Sequence, residues 1–161
     1  MMKFLVDQML GTLAKWLRLA GIDTYYATQK ISDDELLEIA KKQNRIMITR
    51  DKELHMRAKK KDISTLFTKS ISLSEQLHLV FQSYPTITNE INPLTRCSLC
   101  NTSIQPIEKE KIKGEVPNRV YKQNTKFWHC PTCNHIYWRG THYEKILEKI
   151  KNLNQEYKSM T

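Results

Sequence analysis

Two sets of side chains in this 161-residue sequence have the type and spacing to do chemistry, and the first is sulfur. Cys97-Ser98-Leu99-Cys100 and Cys130-Pro131-Thr132-Cys133 each set two thiols on a tight turn, and they are the chain's only four cysteines. Two such knuckles on neighbouring hairpins give zinc a closed tetrahedral sulfur shell. Nothing in that shell is open to water, so the expected role is structural. Asn101 and Asn134 follow their knuckles in matching positions, as two copies of one turn should. His129, next to Cys130, is a further nitrogen donor, but four sulfurs already complete the shell. Trp128, Tyr137 and Trp138 flank the second knuckle. They can close the core of a small ribbon or stack on unpaired bases.

The second set is acidic. Asp7 ends an apolar run, Asp51 follows another, and Asp33, Asp34 and Glu35 open a helical pattern between them. In a parallel sheet, Asp7 and Asp51 would both stand at the carboxyl edge, where open α/β folds bind ligands. Carboxylates gathered from distant positions repel unless a divalent cation lies among them, and an all-oxygen donor set favours Mg²⁺ or Mn²⁺. Such a cation polarises phosphate oxygens and lowers the pKa of an attacking water, which is the chemistry of phosphodiester hydrolysis. A purely structural account stays open for Asp33, Asp34 and Asp51, which suit a helix N-terminus. It is harder to give for Asp7. The sequence contains no Gly-rich phosphate loop, no GxSxG elbow and no spare cysteine nucleophile.

The elements that must position these groups can be read from periodicity. Strands are expected over 3–7, 23–27, 45–49 and 63–67, the third from the buried run Ile46, Met47, Ile48. Helices are expected over 9–20, closed by Gly21, then from Ser32 with a capping box to Glu35, from 52 to about 60, and from 72 to about 83. This alternation predicts a parallel α/β sheet with right-handed crossovers. Residues 1–84 would form that domain, with its own separate core, and 85–95 a linker. Residues 96–161 would form a zinc ribbon and a terminal helix that places Ile146, Leu147, Ile150 and Leu153 for packing. Within the ribbon, Ile112, Val116, Val120 and Tyr121 suggest short antiparallel strands.

Lys and Arg outnumber Asp and Glu by 26 to 17, for a formal charge of +9, and both halves of the chain are basic. A polyanion suits that balance, although basic proteins also occur without one. The first apolar run is cut at Asp7, too early for a secretory core, and no stretch reaches the roughly 20 apolar residues of a membrane helix. A soluble cytoplasmic protein is expected, where CxxC pairs bind metal in preference to forming disulfides.

Taken in order, several segments resemble one family. They are Phe-Leu-Val-Asp at 4–7, Leu-Gly-Thr-Leu-Ala-Lys-Trp-Leu-Arg at 10–18, Gly-Ile-Asp at 21–23, Ser-Asp-Asp-Glu-Leu-Leu at 32–37 and Ile-Thr-Arg-Asp at 48–51. Arg-Cys-Ser-Leu-Cys-Asn at 96–101, Val-Pro at 116–117 and Cys-Pro-Thr-Cys-Asn-His-Ile-Tyr-Trp-Arg-Gly-Thr-His-Tyr at 130–143 continue the match. Together they resemble the PIN-like ribonuclease domain named after the C-terminus of the Mut-seven exonuclease. The resemblance implies a PIN-like fold with a fused zinc ribbon and a metal-dependent ribonuclease, for which endonucleolytic cleavage is the expected mode. It carries Asp7, Asp33 and Asp51 over as catalytic ligands of Mg²⁺ or Mn²⁺, with Asp34 as a fourth, and Arg18 and Arg50 as holders of substrate phosphates. It sets Trp138, Arg139 and His142 at the ribbon's edge, against either the nuclease domain or RNA. The alternative is a non-catalytic RNA-binding or protein-interaction module.

Overall fold

A computed structural model of the chain describes residues 1–160, apart from the side chains of His142, Leu153, Asn154 and 156–160. The readings made for His142 and Leu153 lie outside the described residues. Four parallel strands, β1 (Lys3–Val6), β2 (Asp23–Tyr26), β3 (Ile46–Thr49) and β4 (Thr65–Phe67), alternate with helices α1 (Gly11–Leu19), α2 (Asp33–Lys42), α3 (Lys52–Lys60) and α4 (Leu73–Ser83). Their order across the sheet is β2-β1-β3-β4. The chain leaves β1 in one direction for β2 and then crosses back to β3, so the order reverses between β1 and β3.

The pleat sorts the apolar residues between two cores. Phe4 and Val6 of β1 and Ile48 of β3 join α1 and α4 on one face, while Leu5 and Met47 join α2 and α3 on the other. Each fully buried side chain of this size contributes about 1.5–3 kcal/mol, which fixes the register and hence the height at which each strand ends. The expected capping box is present, with the Ser32 hydroxyl accepting from the Glu35 N–H and the Glu35 carboxylate accepting from the Ser32 N–H.

Gly21 ends α1 in a Schellman motif. Its N–H donates to Arg18 O and the Ile22 N–H to Leu17 O. The turn needs the left-handed φ of +87°, and the Asn92 carbonyl passes close over the α-carbon.

Residues 85–95 are not a detached linker. Pro85–Glu90 forms a 3-10 helix whose Ile87 is fully buried in the first core, the Met2 N–H donates to Glu90, and the Asn92 N–H donates to Ala20 O. Apolar residues among the Thr, Asn and Pro of this segment had somewhere to go.

The ribbon has three antiparallel strands, β5 (Gln105–Ile107), β6 (Phe127–His129) and β7 (Ile136–Trp138). Val120 and Tyr121, expected on a strand, lie on a short helix, α5 (Asn118–Gln123), and Ile112 ends a 3-10 turn. Pro117, with φ fixed at −54°, suits the position just ahead of a helix, and the same residues still pack around Phe127. The last helix, α6 (Thr141–Met160), returns to α4 and buries Ile146 and Ile150 in the first core. The two halves therefore do not have separate cores.

Replacing Gly21 by Ala should destabilise the chain by about 2 kcal/mol or more, because a left-handed backbone alone costs Ala roughly 1–2 kcal/mol and the new Cβ would lie 2.1 Å from Asn92 O. A denaturant titration reads this as a lower midpoint at unchanged slope. An unchanged midpoint would mean that the turn relaxes freely.

Candidate functional site

Asp7 and Asp51 stand at the carboxyl ends of β1 and β3, on either side of the point where strand order reverses. Ligands collect at such crevices because the two flanking crossovers leave in opposite directions. Asp7 is only 8% exposed. Its Oδ1 accepts from the Gln8 N–H at 2.6 Å and its Oδ2 from the Thr49 hydroxyl at 2.8 Å. The same Thr49 oxygen accepts from the Asp51 N–H at 2.9 Å. One Thr49 hydroxyl thus joins the Asp7 carboxylate to the Asp51 backbone N–H. The sequence reading passed over it; its signal was a hydroxyl two positions before an acid, on an otherwise apolar buried strand.

Asp51 also caps α3. Its Oδ1 accepts from the Glu53 N–H at 2.7 Å and the Leu54 N–H at 3.1 Å. The structural account of this residue therefore holds alongside any chemical one. Asp33 and Asp34 open α2, but their carboxylates turn to Arg57 of α3, at 3.1 and 2.5 Å. Arg57 is a second residue that the sequence reading missed. Among the described residues the four cysteines are the one group of three or more His, Cys, Asp and Glu side chains placed to hold a metal ion, so the acids are not drawn together in this way. Arg50 lies between Thr49 and Asp51, half-buried, with an Nε that has no hydrogen-bond partner and no ion pair among the described residues.

The cysteines do converge. Their four sulfurs lie within 4.8 Å of one another, with Cys97 and Cys133 at 3.5 Å, Cys100 and Cys130 at 3.3 Å, and Cys100 and Cys133 at 3.8 Å. Tetrahedral Zn–S bonds of about 2.3 Å would separate sulfurs by about 3.8 Å, so the donor set could hold a zinc ion. His129 is not part of the group. The two knuckles are copies: the Asn101 N–H donates to Cys97 O and the Asn134 N–H to Cys130 O, and both asparagines have positive φ. Burial and the neighbouring sulfurs push the Cys133 thiol up to about 12 and raise Cys130. At Cys100 burial works in the same direction, but hydrogen bonding to Thr102 and the other sulfurs outweighs it and brings the thiol to about 6. Four thiolates this close need a cation among them. Tyr137 supports the shell from outside, its hydroxyl accepting from the Ser98 N–H and lying 3.0 Å from the Cys97 sulfur.

Arg18, expected to hold phosphate beside the acids, is elsewhere. It is 4% exposed, with Nε taken by Thr24 O at 2.8 Å and Nη1 by Leu99 O at 2.7 Å and Ser98 O at 3.3 Å. The reason is its position in the last turn of α1, which brings it to the amino end of β2, where the first knuckle docks. Burial lowers its pKa, and the neighbouring Cys97 and Cys100 thiolates oppose that loss of charge. Asn101 completes the dock: its Oδ1 accepts from the Thr24 N–H, and its amide donates to Asp23, which Arg45 also holds at 2.7 Å. Burial would raise the Asp23 pKa, but these partners outweigh it and lower the value.

Two outcomes test this centre. Protein purified without chelator should contain one zinc per chain by elemental analysis, and stripping the metal should lower the melting of the whole chain, because the knuckle's carbonyls anchor Arg18 of the α/β half. A zinc content near zero in folded, reduced protein would remove the assignment. Arg18→Ala should cost about 3 kcal/mol, since it leaves buried carbonyls unpaired, and Arg18→Lys should recover less than half of that. RNA affinity per folded molecule should stay unchanged; a selective loss of affinity in a stable Arg18→Ala chain would restore the phosphate role.

No curated protein and no solved structure matches the chain at a significant level. The family model described as the Mut7-C RNAse domain matches residues 2–150, a span that takes in the acids, the docking arginine and all four cysteines. The chain therefore belongs to the Mut7-C RNAse domain family.

Proposed function

We propose that this chain cleaves RNA endonucleolytically at the carboxyl edge of its sheet, with Mg²⁺ or Mn²⁺ as cofactor and the ribbon helping to hold the RNA. The observation that carries the reading is the link from Asp7 through Thr49 to Asp51 at the reversal of strand order. Both groups are hard oxygen donors, and Asp51 spends only Oδ1 on its cap. Asp33 is the proposed third ligand. Its pair with Arg57 is open to water, at 48% and 32% exposure, and such pairs contribute at most about 1 kcal/mol, so a divalent cation can compete for the carboxylate. A cation held there would neutralise phosphate charge and acidify a bound water.

Arg50, half-buried, next to Asp51 in the chain and without an ion pair among the described residues, is the proposed phosphate holder. Arg18 is left out of this proposal, because its Nε and Nη1 donate to carbonyls of the dock. The chain's formal charge of +9 suits a polyanionic substrate. Among the described residues no helix is long and apolar enough to cross a membrane. A cluster of four free cysteines suits a reducing compartment, which favours the cytoplasm.

Asp51→Asn isolates the charge, because Asn caps a helix about as well as Asp. In EDTA its melting temperature should match the native one, while the stabilisation given by Mn²⁺ should largely vanish. Cleavage of RNA should fall on the order of 100-fold or more. Native-rate cleavage by this variant would remove Asp51 from the site. Absence of cleavage by the native chain with either ion would return the protein to the non-catalytic, RNA- or protein-binding reading.

A further inference from the structure

Between α1, β7, α5 and the start of α6 lies a cleft of about 720 Å³. Lys15, Arg96, Arg119 and Arg139 line it, against Glu144 as the one acid among its described residues. Lys15, Arg119 and Arg139 are exposed and have no ion-pair partner among the described residues. Arg96 is more committed, with Nη1 donating to Asn101 O at 2.6 Å and Nη2 4.0 Å from Asp23, while its Nε is buried with no hydrogen-bond partner. A low-dielectric wall carrying one sign of charge concentrates polyanions.

The cleft is also aromatic. Trp138 and Tyr143 line it, and the Arg139 guanidinium lies 5.8 Å from the Tyr143 ring centre and 6.0 Å from that of Trp128. Rings interleaved with arginines take up bases as well as phosphates. In a duplex the base faces are stacked on one another, so only an unpaired base can use such a surface.

We propose that this cleft binds a single-stranded segment of RNA, with phosphates on Lys15, Arg119 and Arg139 and an unpaired base against Trp138 or Tyr143. The choice of RNA as the ligand rests on the ribonuclease reading above. The position suits it. Thr12, Lys15 and Leu19 share one face of α1, a helix that starts beside Asp7 and carries Lys15 and Leu19 into the cleft. At 1.5 Å per residue, Lys15 lies about 6 Å along α1 from Gly11, and only the 3-10 turn Gln8–Leu10 separates Gly11 from Asp7, so one strand could lie in the cleft and reach the acids.

The test measures binding apart from cleavage, in EDTA, with a labelled single-stranded uridine oligomer containing 4-thiouridine. Arg119→Glu and Arg139→Glu, made together, should weaken binding roughly tenfold or more. They should also reduce the slope of log affinity against log salt by about 1.4, at about 0.7 per lost phosphate contact on a single strand. Photocrosslinks should map to residues 136–144, and RNA duplex should bind less tightly than the oligomer. Native affinity in the double variant, crosslinks confined to the carboxyl edge, or duplex bound as tightly as single strand would each overturn the proposal.

Binding read in EDTA and cleavage read with Mn²⁺ keep the two readings apart. Native cleavage with an indifferent cleft would sink this inference alone. A cleft that binds as expected in a chain that cleaves nothing would sink the catalytic reading alone.

Discussion

A guanidinium taken out of water must be given acceptors and negative charge in return, and Arg18 finds both only while the ribbon is docked. Thr24 O comes from its own half of the molecule, but Ser98 O and Leu99 O belong to the first knuckle. A knuckle of thiolates around a divalent ion adds negative charge on the same side, and Cys97 and Cys100 are the groups that most favour the charged arginine. The fold of the ribbon and the solvation of a residue in the α/β core are thus one problem. With Ile146 and Ile150 of the last helix buried beside Phe4 and Leu13, each half completes the other.

This arrangement divides the sheet by its ends. At the amino end, Asp23, Arg45 and Asn101 form a network that holds the ribbon against β2. At the carboxyl end, Asp7, Thr49 and Asp51 share hydrogen bonds at the reversal of strand order. Parallel strands make the separation unavoidable, because every strand ends on the same side. α1 runs from one end to the other, and its Thr12 and Lys15 are exposed.

Local signals were legible in the sequence where one residue type has one use. Gly21 read as a helix stop because few residues take positive φ, and Ser32 with Glu35 read as a cap because the two bonds are reciprocal. The cysteine pairs read as a metal shell for the same reason. What failed to read was long-range pairing. Arg18 and Arg57 are both arginines on amphipathic helices, and nothing local distinguishes one that faces a knuckle from one that faces two aspartates. Val120 and Tyr121 suit a strand by type, yet Pro117 and a place beside Phe127 put them on a helix. Asp33 is the instructive case for the site: its sequence position fits a metal ligand, and its carboxylate meets an arginine from an element that periodicity could not orient.

The dock has another consequence at Thr24. β2 is one of the two outer strands of the parallel sheet, and an outer strand offers unpaired backbone groups to any other chain that can extend alongside it. Thr24 is fully buried, its N–H donates to the Asn101 side chain, and its carbonyl accepts from Arg18. Two side chains thus occupy the positions that an additional strand would need. The ribbon is a stopper on this edge of the sheet, and a chain whose ribbon comes loose exposes a template there for intermolecular β-pairing and aggregation.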